Sequence, residues 1–345
     1  MIRTHAALFS NASEWPITLT PVRLATLLII ALLLGPAAAS ANVSPVRVAV
    51  FFYPWYGTPG IDGDFQHWQG KSSAAPAEIA SAFYPARGLY SSGDPLVLGA
   101  QMREIAAAGV DQVVTSWWGW GSAEDIRLPA IVSAARAVDL DVAIHLEPYP
   151  GRTPDSTFAD IERLRQLGIA DFYLYAPNQD GLPWDWGAMN ERLDGVRIFA
   201  QTGRVGYAAA WKFDGLYTYD ILTYGGDSFR RLCTQARQRK ILCAPSVGPG
   251  YDARRAVADP RVKPRRRGAT YDSMWREALA ARADFVTITS YNEWHEGSQI
   301  EPARTRPGYS GYDGAWGRVG RAAERAYLDR TKLWSARFAR ASGRG

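Results

Sequence analysis

Two glutamates three residues apart, Glu293 and Glu296, stand in the segment Tyr291-Asn-Glu-Trp-His-Glu-Gly-Ser-Gln-Ile-Glu301, just after an apolar run. If the chain turns helically there, residues i and i+3 share one side. Two carboxylates in one cleft repel when both are ionised, so their pKa values separate. One then serves as acid and the other as base, the pairing that glycoside hydrolysis requires. Alone, a Glu-x-x-Glu spacing describes many solvated helix faces. Asn292, Trp294, His295 and Gly297 around the pair, and its place at a strand end, favour chemistry.

His145 and Glu147 form a second group. They are two apart, so strand alternation sends both side chains to one face. With His295 and Asp214 they suggest a metal site, yet no His-Glu-x-x-His or comparable spacing occurs and the chain has only four His. The reading is therefore no catalytic metal and no cofactor. A serine nucleophile is equally unsupported, because no Gly-x-Ser-x-Gly elbow is present.

Such groups need a rigid scaffold, and the pattern of elements suggests one. After residue 45, short β-rich runs alternate with longer helical patterns. Strands are expected at Arg47–Tyr53, Gln112–Trp117, Val142–Glu147, Phe172–Tyr175, Val196–Ala200, Gly215–Tyr219, Ile241–Pro245 and Phe285–Ser290. Several are nearly all apolar, as parallel strands buried on both faces should be. Helices are expected at Pro95–Ala108, Glu124–Val138, Thr157–Leu167, Phe229–Arg239, Ser273–Arg282 and Arg318–Ala341. Eight strands with intervening helices spell an α/β fold, a single (β/α)8 TIM barrel with extended loops around an active-site cleft. A doubly wound sheet is the alternative. It is disfavoured because the first strand runs into Pro54-Trp-Tyr-Gly57 instead of a Gly-rich phosphate loop.

Catalytic residues of such barrels lie at the carboxyl ends of strands. Six of the eight expected ends carry polar and aromatic clusters, including Tyr53-Pro-Trp-Tyr56, Ser116-Trp-Trp-Gly-Trp120 and His145-Leu-Glu-Pro-Tyr149. The connection Pro54–Asp94 is long enough to help build a site.

Composition sets the class. The chain has 345 residues, 47% hydrophobic and 21% charged, which suits a folded domain with a full core. Its 13 Trp and 17 Tyr suit sugar rings, whose flat C–H faces pack on aromatic rings, although most should be core. Net charge is +5, much of it in the run Arg261–Arg267. Prolines at 260 and 264 mark that run as a solvated loop, and no nucleic-acid motif accompanies it.

Near the N-terminus Arg23 precedes the apolar run Leu24–Leu34 and then Ala39-Ser-Ala41, a signal-peptide pattern with an A-x-A cleavage site. The run is shorter than the ~20 residues a membrane span needs. Residues 1–41 are therefore read as a signal and 42–345 as one catalytic domain, secreted or periplasmic and not membrane-associated after cleavage. An uncleaved membrane anchor is the alternative. Cys233 and Cys243 could pair in an exported protein, but a chain this long holds together without a staple, and two buried thiols are the favoured reading.

These motifs resemble a known family. Phe52-Tyr-Pro-Trp-Tyr-Gly57, His67-Trp68, Tyr90-Ser-Ser-Gly-Asp-Pro95, His145-Leu-Glu-Pro-Tyr-Pro150, Phe213-Asp-Gly-Leu-Tyr-Thr-Tyr219, Pro245-Ser-Val-Gly-Pro-Gly-Tyr251 and Thr289–Pro302 are similar to glycoside hydrolase family 99, the endo-α-1,2-mannosidase and mannanase family. The likeness runs in order from about residue 47 to 335. It implies cleavage within an α-mannoside chain with retention of configuration and without a metal. It further implies that Glu293 is a base toward the sugar's 2-hydroxyl, which attacks to give a 1,2-anhydro sugar, and that Glu296 is the general acid/base. Tyr56, His67, Trp117, His145, Glu147, Tyr224, Tyr251, Asn292 and His295 are carried over as substrate-binding positions. The expected partner is an α-mannoside oligosaccharide or polysaccharide, bound by a monomer. The stretch between Tyr149 and Phe213 departs from the family by being shorter, and Ala176 stands where an acidic residue is usual, which leaves the remote subsites open. The alternative function is a non-hydrolytic glycan-binding or polysaccharide-assembly domain on the same scaffold; retention of both glutamates favours the enzyme.

Overall fold

The computed structural model describes residues 48–70, 73–178 and 184–342. The signal-peptide reading falls outside them.

Strands β1 (Val48–Phe52), β2 (Gln112–Trp117), β3 (Asp141–Leu146), β4 (Asp171–Leu174), β5 (Arg197–Gln201), β6 (Gly215–Tyr217) and β7 (Leu242–Ala244) pair in parallel, each with the next. After Pro245 the seventh strand resumes as β8 (Ser246–Val247). A hairpin of β9 (Tyr251–Asp252) and β10 (Val262–Lys263) follows, and β11 (Val286–Ile288) is the eighth barrel strand. β11 pairs with β1 on one side and with β8 on the other. The break at Pro245 thus lets one strand bond to β6 with its first half and to β11 with its second, which closes the barrel. A helix follows each strand position: Pro95–Ala107, Ala123–Arg136, Pro154–Leu164, Trp186–Glu191, Val205–Ala210, Gly226–Gln238, Ala269–Ala280 and Ala326–Ala341. The fourth and fifth were absent from the sequence reading. Each has only six residues, under two turns, too few for a 3.6-residue periodicity to register.

Strand alternation sorts the side chains. Ala49, Phe51, Val114, Ala143, Tyr173, Phe199, Tyr217 and Ala244 fill the barrel interior, while Val48, Val50, Val113, Ile144, Phe172 and Leu216 pack outward against the helices. Aromatic rings occupy the middle: Tyr173 stacks on Phe199, with centroids 4.8 Å apart. Above this plug the interior turns polar, and there the chemistry collects.

Cys233 and Cys243 form a disulfide, with Cα atoms 5.2 Å apart, which corrects the expectation of two thiols. Alternation explains it. Cys243 lies between inward-facing Leu242 and Ala244 and so points outward, onto the buried face of the helix Gly226–Gln238 that carries Cys233. The tight return at Arg239–Ile241 brings the two together. The bridge closes a loop of 10 residues' separation, for which chain entropy gives about 2–3 kcal/mol. A Cys233→Ala/Cys243→Ala variant is expected to lose that much in a denaturant titration while keeping its turnover rate. Unchanged stability would remove the staple's role.

The run Arg261–Arg267 is only partly the solvated loop expected. Arg261, Arg266 and Arg267 are exposed, but Val262–Lys263 pairs with β9. Arg265 is wedged among the rings of Phe83, Tyr312 and Tyr327, its carbon Cζ 4.5–4.8 Å from their centroids.

Candidate active site

The segment after β11 is a closed loop held from several sides. Ser290 N–H donates to Ser298 O and Ile300 N–H to Ser290 O, which pinches its ends together. Ser290 Oγ accepts from Glu293 N–H at 2.8 Å. Asn292 makes a two-point clamp on the end of β1: its Oδ1 accepts from Tyr53 N–H (2.7 Å) and its Nδ2 donates to Tyr53 O (2.9 Å). The Tyr56 hydroxyl donates to Asn292 O and accepts from Trp294 N–H. Trp294 Nε1 donates to Glu301, a fully buried carboxylate that also accepts from Arg87, Tyr90 and Gln101. Arg265 donates to Gly297 O and Gln299 O on the far side. Gly297 has φ 61°, and a Cβ there would meet the Asp252 backbone at 3.0 Å, so glycine is required just after Glu296.

This frame presents Glu293 and Glu296 at the barrel mouth. Glu293 is buried, and its Oε1 accepts from His295 N–H at 3.0 Å. Burial first, then the charge of Glu296, push its pKa well up. Glu296 is half-buried and accepts from the Tyr219 hydroxyl at 3.4 Å. Burial, followed by the charge of Asp220, pushes it up to about 7. Tyr53 and Tyr219 join their hydroxyls behind it. Beneath lies a polar floor: His145 Nε2 is 2.8 Å from the Tyr217 hydroxyl, His145 Nδ1 is 2.9 Å from Glu147 Oε1, and Ser116 Oγ donates to Glu147. A cavity of about 130 Å³ opens beside Glu296, lined by Tyr175, Tyr219, Asp220, Tyr251, Arg261 and Thr289 among others. Larger clefts of about 450 and 530 Å³ elsewhere on the surface contain neither glutamate.

The positions read from sequence divide into three groups. Glu293, Glu296, Tyr251, His145 and Glu147 gather at the barrel mouth and floor. His67 and His295 face each other at its edge, rings 5.8 Å apart, with His67 stacked flat on Trp55 at 4.5 Å. Tyr56 and Asn292 stand directly behind the glutamates, but the Tyr56 hydroxyl and the Asn292 amide are engaged in holding the loop. Trp117 and Tyr224 are not brought in. Trp117 is buried on the outer face of β2, its Nε1 donating to Asp125. The Tyr224 hydroxyl accepts from Gly203 N–H, which packs its ring on the turn after β5. Sequence reasoning missed Tyr53, Tyr175, Tyr219, Asp220 and Arg261 as site residues, although Tyr53 and Tyr219 sit at strand ends that carry polar and aromatic clusters and Asp220 directly follows one. Among the described residues no group of three or more His, Cys, Asp or Glu is placed to hold a metal ion.

The comparison with known proteins gives this arrangement a family. The model of glycosyl hydrolase family 99 matches residues 46–176 and 190–340. The chain belongs to that family. It is therefore a glycosidase, and the TIM barrel expected from the strand pattern is the fold that it has. Among its relatives, a glycoprotein endo-alpha-1,2-mannosidase-like protein of Homo sapiens is 31% identical over 310 residues, covering 73% of this chain and 68% of the relative. A glycoprotein endo-alpha-1,2-mannosidase of Rattus norvegicus is 28% identical, covering 78% and 71%. The solved structure of the GH99 endo-alpha-mannosidase from Bacteroides thetaiotaomicron superposes with a TM-score of 0.75 at 27% identity, covering 86% of this chain and 98% of that one.

Proposed function

We propose that this glycosidase is a retaining endo-α-mannosidase that hydrolyses internal α-1,2-mannosidic linkages of mannan or high-mannose glycans through a 1,2-anhydro sugar. The observation that carries the reading is the unequal hydrogen bonding of the two glutamates. Burial raises both carboxyls, and the charge of Glu296 raises Glu293 further, so the pair holds on to protons near neutral pH. The backbone N–H groups of His295 and Glu296 favour negative charge on Glu293. Glu296 has only a long bond from a phenol, and burial with the charge of Asp220 raises it to about 7, so it can hold a proton at neutral pH.

That division suits the chemistry. Glu293 takes the proton of the 2-hydroxyl, whose oxygen attacks C1 as the C1–oxygen bond to the departing sugar breaks. Glu296 protonates the departing oxygen. Glu296 then takes a proton from water, whose oxygen opens the three-membered ring at C1, and Glu293 returns its proton to O2. Two inversions give retention. The attack needs a 2-hydroxyl trans to the leaving group, which α-mannose has and α-glucose lacks. The nucleophile is already tethered beside its target, so little ordering entropy remains.

The protein is proposed to act as an exported monomer. A disulfide persists in oxidising compartments, which supports export, and among the described residues no helix is long and apolar enough to cross a membrane.

Incubation with yeast mannan and with a glucosylated high-mannose glycan tests the reading. Released oligosaccharides whose new reducing ends appear first as the α-anomer by proton NMR are expected. Release of single mannose units, or of the β-anomer first, would overturn it.

A further inference from the structure

We propose that Asp220, a carboxylate that neither the family resemblance nor the paired-glutamate scheme includes, is a positioning residue whose fixed negative charge sets the protonation of Glu296. The proposal rests on the reading of Glu296 as the general acid.

Asp220 and Glu296 line one small cavity. The chain leaves β6 through Tyr219, at φ 28°. The side chain of Tyr219 reaches Glu296 while the next residue, Asp220, turns to the same cavity. The Asp220 carboxylate cannot swing away. Its Oδ1 accepts from Leu222 N–H (2.8 Å) and Thr223 N–H (3.2 Å), and its Oδ2 from the Thr223 hydroxyl (2.6 Å). Three donors fix the carboxylate in place.

No Lys or Arg forms an ion pair with Asp220 among the described residues. Arg261, the cation of the same cavity, is bound through Nε and Nη2 to Asp259, which also accepts from the Tyr251 hydroxyl. Lys263 donates to Ile221 O. Both cations still feel Asp220, but each is engaged elsewhere, so neither pairs with its carboxylate directly.

Other groups facing Glu296 act less or are compensated. Glu147, from the end of β3, is bonded to His145 and Ser116. Asp259, from the β9–β10 connection, is neutralised by Arg261. Glu293, on the same loop, is itself raised by burial and by the charge of Glu296. The phenols of Tyr53, Tyr175, Tyr219 and Tyr251 are neutral, burial holding each above its usual range. After burial itself, Asp220 is the largest influence raising Glu296. Without it the acid would lose its proton before neutrality, where the leaving oxygen still needs one.

The test reads Glu296 directly, without substrate. The full chain is labelled with [δ-13C]glutamate, the Glu296 signal is assigned by its loss in Glu296→Gln, and its pH midpoint is followed. In Asp220→Asn the midpoint is expected to fall by about one pH unit, the size of a moderate like-charge interaction. Asp220→Glu should retain most of it. Asp220→Ser, whose hydroxyl still accepts from the turn's N–H groups, should lower it as Asn does and serves if Asn misfolds. Thr223→Val keeps the charge and should leave the midpoint in place. An unmoved midpoint in a folded neutral variant, even with activity lost, would reduce Asp220 to shaping its loop. An equal drop in Thr223→Val would say the same. Failure of the protein to cleave α-mannosides would leave the titration readable, so the two ideas fail separately.

Discussion

Glu296→Gln is expected to lower turnover of an α-1,2-mannan fragment by about 10³-fold, in the range usual for removing a general acid/base, while leaving substrate affinity nearly unchanged. Gln keeps the shape and can still accept from Tyr219, so the loop held by Asn292, Tyr56 and Arg265 should persist. Only the transferable proton is gone. The deficit should fall on the first step in proportion to how poor the leaving group is. A mannoside with an activated aryl leaving group should recover much of the rate of that step, because it departs without a proton. Calorimetric binding and kcat measured side by side separate the outcomes. Full activity would remove Glu296 from the reaction, whereas loss of binding with kcat intact would make it a sugar contact only.

A 2-deoxy analogue is expected to be cleaved at least about 10⁴-fold more slowly than its parent, since an intramolecular nucleophile carries an effective molarity of order 10⁵ M or more. The result discriminates sharply. If Glu293 itself attacked C1, loss of the electron-withdrawing 2-hydroxyl would ease formation of the oxocarbenium-like transition state and cleavage would persist. If Glu293 instead deprotonates O2, the analogue lacks the nucleophile altogether. Ready cleavage of the 2-deoxy compound would therefore exclude the anhydro route and return Glu293 to the role of a covalent nucleophile. Glu293→Gln should match the analogue's defect, and combining the two changes should cost little more, because each removes the same step.

Much of this site was legible in the sequence, because barrel strands announce themselves as short apolar runs and the catalytic ends follow from strand order. The eight strand positions and the two glutamates were found that way. What sequence hid was direction. Trp117 sits one residue past Ser116, so the alternation that turns Ser116 toward Glu147 turns Trp117 outward toward Asp125. That signal was present and was overridden by the position of Trp117 in the motif shared with the family. Tyr56 and Asn292 were read as sugar contacts because they lie in the motifs shared with the family. Their engagement with backbone atoms depends on how the loop folds over β1, which spacing along the chain does not encode. The disulfide was missed for the converse reason: chain length was weighed and the outward phase of Cys243 was not. Helices of six residues are too short to leave a period.

The Asn292 clamp has a consequence for how the enzyme comes into being. It joins the end of the first strand to the loop after the last, across 239 positions of sequence. A contact so remote forms late, once the chain has paid the entropy of bringing its extremities together. The acid and base are therefore set in place only in a finished molecule. A chain still lacking its last strand and loop has no glutamate pair to offer a glycan, so turnover itself reports that the two ends have met.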